Sequence, residues 1–408
     1  SDYWLPEQLR NIRKCGNFMK RFLDSIKKAI TGRCAVFPAA ILAFALAPAF
    51  AGGPGSAGMQ ALKTEMSPRA AGMGGVFAAI ADDIYAMDYN PAGLGQLYIP
   101  EASAMYLSGF DDSTLNHISI GMPLPFMGLA GLARPGFGIS LMLADAGSFD
   151  YNYIRGDGSV FKKSYDAQKD LALAFGYGEK VYSGEVNLEG YNAKIEQYLG
   201  LNMKYIRSTM LEDKNPPSTV AFDGGWLMLE PKLGLSLGVS LANYGPGLKY
   251  GAEITKLPSI LRMGISYQRP TVLDQSVLLA VEGDFYMAEA MKSLRFGLEY
   301  HFEKIFNLRL GYKAAEDNKG LTMGLGLRHD GMSLDFSGGL GNEVYNATQL
   351  AFSYKFSGIA IKEYRKRVNY RDPEPQKTAP VPVKPRQERK PTRVAPEKKK
   401  DSDFFWIH

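Results

Sequence analysis

The sequence predicts an all-β fold: a transmembrane antiparallel β-barrel of about fourteen strands with an N-terminal hatch in its lumen. Three observations carry this. Apolar and polar residues alternate with period two through segment after segment between residues 100 and 356. An export-type leader precedes them. No apolar run after Ala51 approaches the ~20 residues that a spanning helix needs.

The 408 residues include 22 Phe, 23 Tyr and only 2 Cys, a composition that excludes a disordered chain and a disulfide scaffold. Net charge divides by region into +5 over residues 1–51, −7 over 52–356 and +7 over 357–408. A body at −7 has no field to attract a phosphate backbone, so no nucleic-acid partner is expected for it.

Taken in order, residues 1–51 read as a signal peptide with an upstream extension. Met19-Lys20-Arg21, then Lys27, Lys28 and Arg33, precede an apolar run that Pro38 and Pro48 interrupt and that closes on Ala49-Phe50-Ala51. Both cysteines, Cys15 and Cys34, fall in this segment. Residues 52–99 form the expected hatch. They are small, apolar and glycine-rich from Ser67 to Asp83, and Asn90-Pro91 suits a helix cap followed by proline at the first helical position. A flexible exported linker would be more polar.

Residues 100–356 form the expected barrel. Val277, Leu279, Val281 and Phe285 alternate with Ser276, Ala280, Glu282 and Asp284, and the pattern recurs at 294–302, 306–313, 321–328, 332–340 and 350–356. Earlier runs lie at 118–122, 137–143, 171–177, 199–205, 233–241 and 261–267, with weaker ones near 102–110 and 218–229. The polar face carries Arg262, Glu282, Asp284, Arg295, Glu299, Arg309, Lys313, Arg328 and Asp335, which are expected to point into the lumen. Gly234, Ser236, Gly238 and Ser240 leave room beside one wall. A water-soluble sandwich or propeller also alternates. Leader, cysteine-free body, aromatic strand ends and a final strand closing on Phe356 favour the barrel, because in hydrocarbon an unpaired sheet edge costs several kcal/mol per polar group.

Within this frame Arg69-Ala70-Ala71-Gly72-Met73-Gly74-Gly75 and Asn90-Pro91-Ala92-Gly93 resemble the Arg-Ala-x-Gly-Met-Gly-Gly opening and the Asn-Pro-Ala-Gly hatch motif of the PorV/PorQ group of FadL-like outer-membrane proteins. Leu261-Arg262-Met263-Gly264, Gly297-Leu298-Glu299-Tyr300 and Leu308-Arg309-Leu310-Gly311-Tyr312 extend the resemblance over residues ~65–356. It implies a fourteen-stranded barrel in the cell outer membrane, with Arg69, Gly72, Gly74, Gly75, Asp82, Asp83, Asn90, Pro91, Ala92 and Gly93 as hatch residues. FadL-like members pass hydrophobic small molecules, whereas PorV-like members serve type IX secretion by holding exported proteins at the surface. The opening motif lies nearer to PorV. The first expectation is therefore a secretion-associated barrel that binds exported proteins or the secretion machinery, and the alternative is a channel for hydrophobic small molecules.

The two readings predict different surfaces. A channel needs a greasy pocket in the lumen, while a secretion partner needs extracellular segments such as 145–168 and 179–195, with Tyr151, Tyr153, Tyr165, Tyr182 and Tyr191. Residues 357–408, rich in proline and in Lys/Arg, cannot form a core and read as a disordered periplasmic tail. Its aromatic end at Phe404-Phe405-Trp406 suits a periplasmic or cell-wall partner or anionic lipid.

No enzyme chemistry and no cofactor are expected. His117, His301, His329 and His408 lack ligand spacing, and His301 beside Glu299 reads as a lumen hydrogen bond. Asp82-Asp83 lacks a calcium loop, and Gly72–Gly75 lacks the lysine of a phosphate loop.

Overall fold

The computed structural model describes residues 53 and 55–356, apart from short stretches at 110–111, 189–190, 212–214, 271–274, 290, 304, 316–318 and 342–346. The expected leader and the expected basic tail lie outside the described residues.

Eighteen strands follow one another along the described chain: β1 (Glu101–Ser108), β2 (Thr114–Pro123), β3 (Gly136–Asp145), β4 (Ser148–Ile154), β5 (Val160–Asp166), β6 (Gln168–Leu188), β7 (Tyr191–Met210), β8 (Ser218–Glu230), β9 (Leu235–Tyr244), β10 (Leu248–Tyr250), β11 (Glu253–Thr255), β12 (Ile260–Pro270), β13 (Ser276–Tyr286), β14 (Met291–Phe302), β15 (Phe306–Ala315), β16 (Gly320–His329), β17 (Met332–Gly341) and β18 (Thr348–Lys355). Among the described residues fourteen of them close into one antiparallel barrel, while β4–β5 and β10–β11 form separate two-stranded ribbons. The ring is sealed where β1 pairs with β18, from Glu101 opposite Lys355 to Ser108 opposite Thr348.

Side-chain parity gives the barrel its two faces. Leu279, Val281, Phe296, Leu308, Leu310, Leu325, Phe336, Leu350 and Phe352 point outward and are exposed, while Glu282, Asp284, Arg295, Glu299, Arg309 and Asp335 point inward and are buried. This inverts a soluble protein. A belt of large apolar side chains on the outside is stable only in hydrocarbon, where each gains about 1.5–3 kcal/mol over water. The fold is thus a membrane-spanning β-barrel of the outer-membrane type.

Most ring strands have the length of a tilted span, but β6 and β7 run to 21 and 20 residues. Their pairing continues past Gly178–Gly200, where the pairing of β3 with β6 stops, to Leu188–Tyr191. Residues 179–195 therefore extend the wall at the rim where β1 begins and β18 ends, here the near rim. The expectation that 179–195 joins 145–168 as an extracellular surface is corrected on this point, because the two segments lie at opposite rims. The two longest connections, 146–167 and 245–259, lie at the far rim, which is the extracellular side for a barrel with short periplasmic turns. Two irregularities interrupt the described wall: the register of β6 on β7 shifts between Lys180 and Tyr182, and Phe222 pairs with Tyr244 but Gly224 with Leu241, where Asn243 in the resulting bulge has φ +58°.

A depth-dependent cost follows from the outward belt. Leu325→Arg, at the middle of β16, should destabilise the barrel by about 2–4 kcal/mol in urea unfolding from lipid vesicles. Arg328→Ala, on the inward parity of the same strand, should cost less than half of that.

Candidate functional site

Residues 57–97 run through the lumen, and many inward polar groups of the wall meet them. Gly58 N donates to Lys256 O beside the far rim (2.8 Å), and Phe356 N donates to Pro100 O at the near rim (2.9 Å), so the segment traverses the ring before the first strand.

Its geometry is set by small residues. Helix α1 (Pro68–Gly72) starts with proline at its first position, and the Ser67 hydroxyl accepts from Ala70 N as its cap. The helix packs so closely on β16 that a Cβ on Gly72 would lie 2.8 Å from Gly324 Cα. Gly74 and Gly75 follow with φ +75° and +86°, and a Cβ on Gly75 would collide with the Arg295 guanidinium. The glycines of the opening motif are thus demanded by contact with the wall. Helix α2 (Ala86–Tyr89) ends at Asn90, whose Nδ2 donates to Ala78 O (2.7 Å) and Trp226 O (3.0 Å) and whose Oδ1 accepts from Ala92 N (3.2 Å). Pro91, Ala92 and Gly93 are buried in the 3-10 turn that follows, where a Cβ on Gly93 would strike Ala81.

Charge fixes the segment in place. Arg69 donates to both carboxylate oxygens of Glu299 (2.8–3.1 Å) and to Asp82 (2.5 Å) and Asp83 (3.2 Å). Glu299 in turn accepts from Arg309 Nε (2.8 Å), and Arg309 Nη1 donates to Asp335 (2.6 Å). His301 Nε2 stands 3.3 Å from Glu299 as well, the lumen contact expected from their spacing. The side chains of Glu299 and Arg309 are fully buried, and removing one partner of such a buried pair typically costs about 3–5 kcal/mol, because the other charge stays desolvated.

A second group holds the far part of the segment. Glu65 accepts from Lys313 (2.7 Å) and Arg295 (3.2 Å), while Arg295 Nη2 reaches Asp284 (3.1 Å), and Lys63 pairs with Glu289 (2.8 Å). Burial raises the pKa of Glu65, yet the positive charges of Lys313 and Arg295 outweigh it and hold the carboxyl down to about 2. Glu282 accepts from Phe77 N (3.0 Å) and Ala78 N (2.7 Å). Arg262 stacks over the Tyr89 ring at 5.6 Å and comes within 3.9 Å of Asp284. Arg328 lines a cleft of about 380 Å³ at the near rim together with Asp82, Asp83, Glu101 and Lys355.

The structure therefore brings the sequence-expected hatch and lumen residues together, with Arg328 at the margin. Sequence reasoning missed Glu65, Glu289, Thr322 and Asn202, and read Ser236 and Ser240 only as room beside the wall. Ser236 donates to Ala79 O (2.7 Å), Ser240 to Tyr89 O (2.6 Å), Thr322 to Gly72 O (3.1 Å) and Asn202 to Met87 O. The strand residues among them share the inward parity, a signal that was available. The room left at Ser236–Ser240 is filled, since a Cβ on Gly238 would overlap Ala78 O.

Lumen chemistry changes around the ring. On the side of β1–β3 and β6–β8, toward the far rim, Met105, Leu107, Leu115, Met142, Ala172, Ala174, Ile206 and Ala221 form one buried cluster with Met59, Leu62, Met66 and Met87 of the segment, beside the buried Lys204 and Arg262.

The ring, its outward apolar belt and its filled lumen define a class, the membrane-spanning β-barrels with an internal plug. No family profile matches the sequence, and no curated protein sequence matches it. Among solved structures, the Ralstonia pickettii toluene transporter TbuX is similar at 12% identity and a TM-score of 0.44, over 71% of this chain and 98% of that one. The P. putida toluene transporter TodX is similar at 11% and 0.44, over 71% and 98%. A Pseudomonas aeruginosa FadL homologue is similar at 10% and 0.40, over 71% and 98%.

Two outcomes follow from this seat. Gly75→Ala should unseat the segment, read as increased proteolysis within residues 57–97 of the refolded protein. The Glu65 anchor, whose folded pKa lies below the ordinary carboxylate value, contributes fully above about pH 4.5 and is lost as pH falls toward about 2. Proteolytic protection attributable to Glu65, measured as wild type against Glu65→Gln, should stay constant from pH 8 to 5, decline below about pH 4.5 and vanish only near about pH 2.

Proposed function

We propose that the protein is a gated outer-membrane channel for hydrophobic small molecules, with residues 57–97 as its gate. The observation that carries this is the apolar patch on the β1–β3 and β6–β8 side of the far lumen, which encloses Met59, Leu62 and Met66. Methionine is unbranched, polarisable and easily repacked, so an apolar solute can take the place of these side chains without stranding a polar group. Such a lining suits a small greasy ligand. A protein partner docking at the rim gains nothing from apolar surface this deep.

The anchors divide the gate into a movable and a fixed part. Residues 57–66 are held by Lys63–Glu289 and Glu65–Lys313, pairs that keep some contact with solvent. Residues 67–97 are held by the fully desolvated Glu299 and Glu282, by Asn90 and by close glycine packing. A ligand entering from the far rim displaces the first part and leaves the second seated. This reading reverses the order expected from the motifs. A role in holding exported proteins at the surface rests on the motif resemblance alone.

Equilibrium binding of radiolabelled oleate to the purified, detergent-exchanged protein tests it. Wild type should bind saturably, and Met66→Lys, which sets a cation into the apolar cluster, should weaken binding by about tenfold or more. The barrel of the variant is checked by heat-modifiable gel mobility. Absence of saturable binding by wild type, or equal binding by the variant, would overturn the proposal.

A further inference from the structure

Beside the apolar patch lies a small cavity of about 20 Å³, little more than a single water needs. Three surfaces enclose it. Leu62 and Met66 of the movable part form one, Met142, Ala172 and Ala174 of the wall form the second, and Asp88, Tyr89, Lys204 and Arg262 form the third, with Thr64 and Ser140 completing the lining. The first two surfaces belong to the apolar cluster. The third is polar, and the fixed part supplies Asp88 and Tyr89 through α2.

That polar surface holds a hydroxyl with nothing to bond. Tyr89 is 3% exposed, and among the described residues its hydroxyl has no hydrogen-bond partner. Its ring is fixed between neighbours, with the Phe77 ring 5.2 Å away between centroids and the Arg262 guanidinium 5.6 Å over its face. Buried polar groups are ordinarily paired, so a buried hydroxyl without a partner calls for an explanation. Arg262 Nε also has no hydrogen-bond partner among the described residues.

The charges beside the hydroxyl are already matched. Lys204 Nζ lies 2.8 Å from Asp223 and donates to Asn243 Oδ1 (3.0 Å). Arg262 Nη1 donates to Asp88 O (3.5 Å), and its Nε lies 3.9 Å from Asp284. Asp88 adds a further carboxylate, 3.2 Å from His117 Nε2. An entering carboxylate would compete with Asp223 and Asp284 for these cations and would stand beside Asp88. A neutral group meets no such conflict.

We propose that this cavity seats the hydroxyl end of an apolar alcohol, whose hydrocarbon part takes the apolar patch. The inference rests on the channel reading, in which residues 57–66 move aside. Their movement takes Leu62 and Met66 out of the cavity lining and joins the cavity to the patch, while Tyr89 stays with the fixed part. An alcohol is donor and acceptor at one atom, so its hydroxyl accepts from Arg262 Nε and donates to the Tyr89 oxygen. Burying a neutral hydroxyl that finds partners costs far less than burying a carboxylate. A pure hydrocarbon leaves Tyr89 unmet, and a carboxylate meets like charge.

The test compares radiolabelled oleyl alcohol with radiolabelled oleate, identical in carbon chain, on the purified full chain in one detergent, each corrected for partition into protein-free micelles. Wild type should bind the alcohol about tenfold tighter, the effect of one well-made hydrogen bond. Tyr89→Phe keeps the ring beneath Arg262; it should bind the alcohol about tenfold more weakly than wild type does and change oleate binding by less than about twofold. Heat-modifiable mobility confirms that each barrel is folded. Oleate bound by wild type as tightly as the alcohol overturns the inference and leaves the channel reading standing, as does a Tyr89→Phe variant that binds the alcohol undiminished or loses both ligands equally. Failure of wild type to bind either ligand overturns the channel reading and the inference with it.

Discussion

Hydrocarbon offers no hydrogen-bond partner, and from that constraint the rest of the structure descends. Each backbone N–H and C=O at membrane depth must be met by another strand, so β1 must find β18, and an open edge is not a stable alternative. Closure creates an interior as well as an exterior. Once the outward positions are given to Leu, Phe, Ile and Met, the inward positions face a space that is neither lipid nor bulk water. Charges placed there need partners. The chain supplies them from its own residues 57–97.

That solution gives the interior two regimes. Around Glu299, where Arg69 and Arg309 converge on one carboxylate, the segment is locked by desolvated charge and by glycines that admit no side chain. Such networks tolerate little adjustment, because loss of any member strands another. On the β1–β3 and β6–β8 side of the far half the contacts are methionine against methionine and leucine, and these repack at small cost. A gate needs both properties. In the proposed channel the locked part would keep the ring sealed and the soft part would yield to a ligand, with the division between Glu65 and Ser67.

Much of this was legible in the sequence because only a boundary between hydrocarbon and a polar interior produces such sustained alternation. Ser276–Tyr286 shows it: Leu279, Val281 and Phe285 go outward and Glu282 and Asp284 inward, as their parity requires. Even the weak segments at 102–110 and 218–229 became strands, β1 and β8. The side on which 179–195 falls was not legible. It depends on how far β6 pairs with β7, a long-range choice that a locally polar stretch does not encode. Glu65 was equally silent, since a lone acid between Thr64 and Met66 has no local pattern and acquires its role only from Lys313 and Arg295 across the lumen. Ser236 and Ser240 showed only that they are small. That they donate to Ala79 and Tyr89 requires knowing what lies against them. Function was the least legible. The motifs favoured a secretion role, while the apolar patch in the far lumen, invisible without the fold, favours the proposed apolar solute.

The central claim is that residues 67–97 are a built part of the barrel interior, as firmly held as its wall. Hydrogen–deuterium exchange of the protein in lipid nanodiscs tests this most directly, by comparing amides around Gly74–Ala81 with those of the β14 strand at Leu294–Tyr300. The account predicts protection of both over the same hours-long range, with faster exchange confined to residues before Met66. Exchange of Gly74–Ala81 within seconds, beside a fully protected β14, would contradict it.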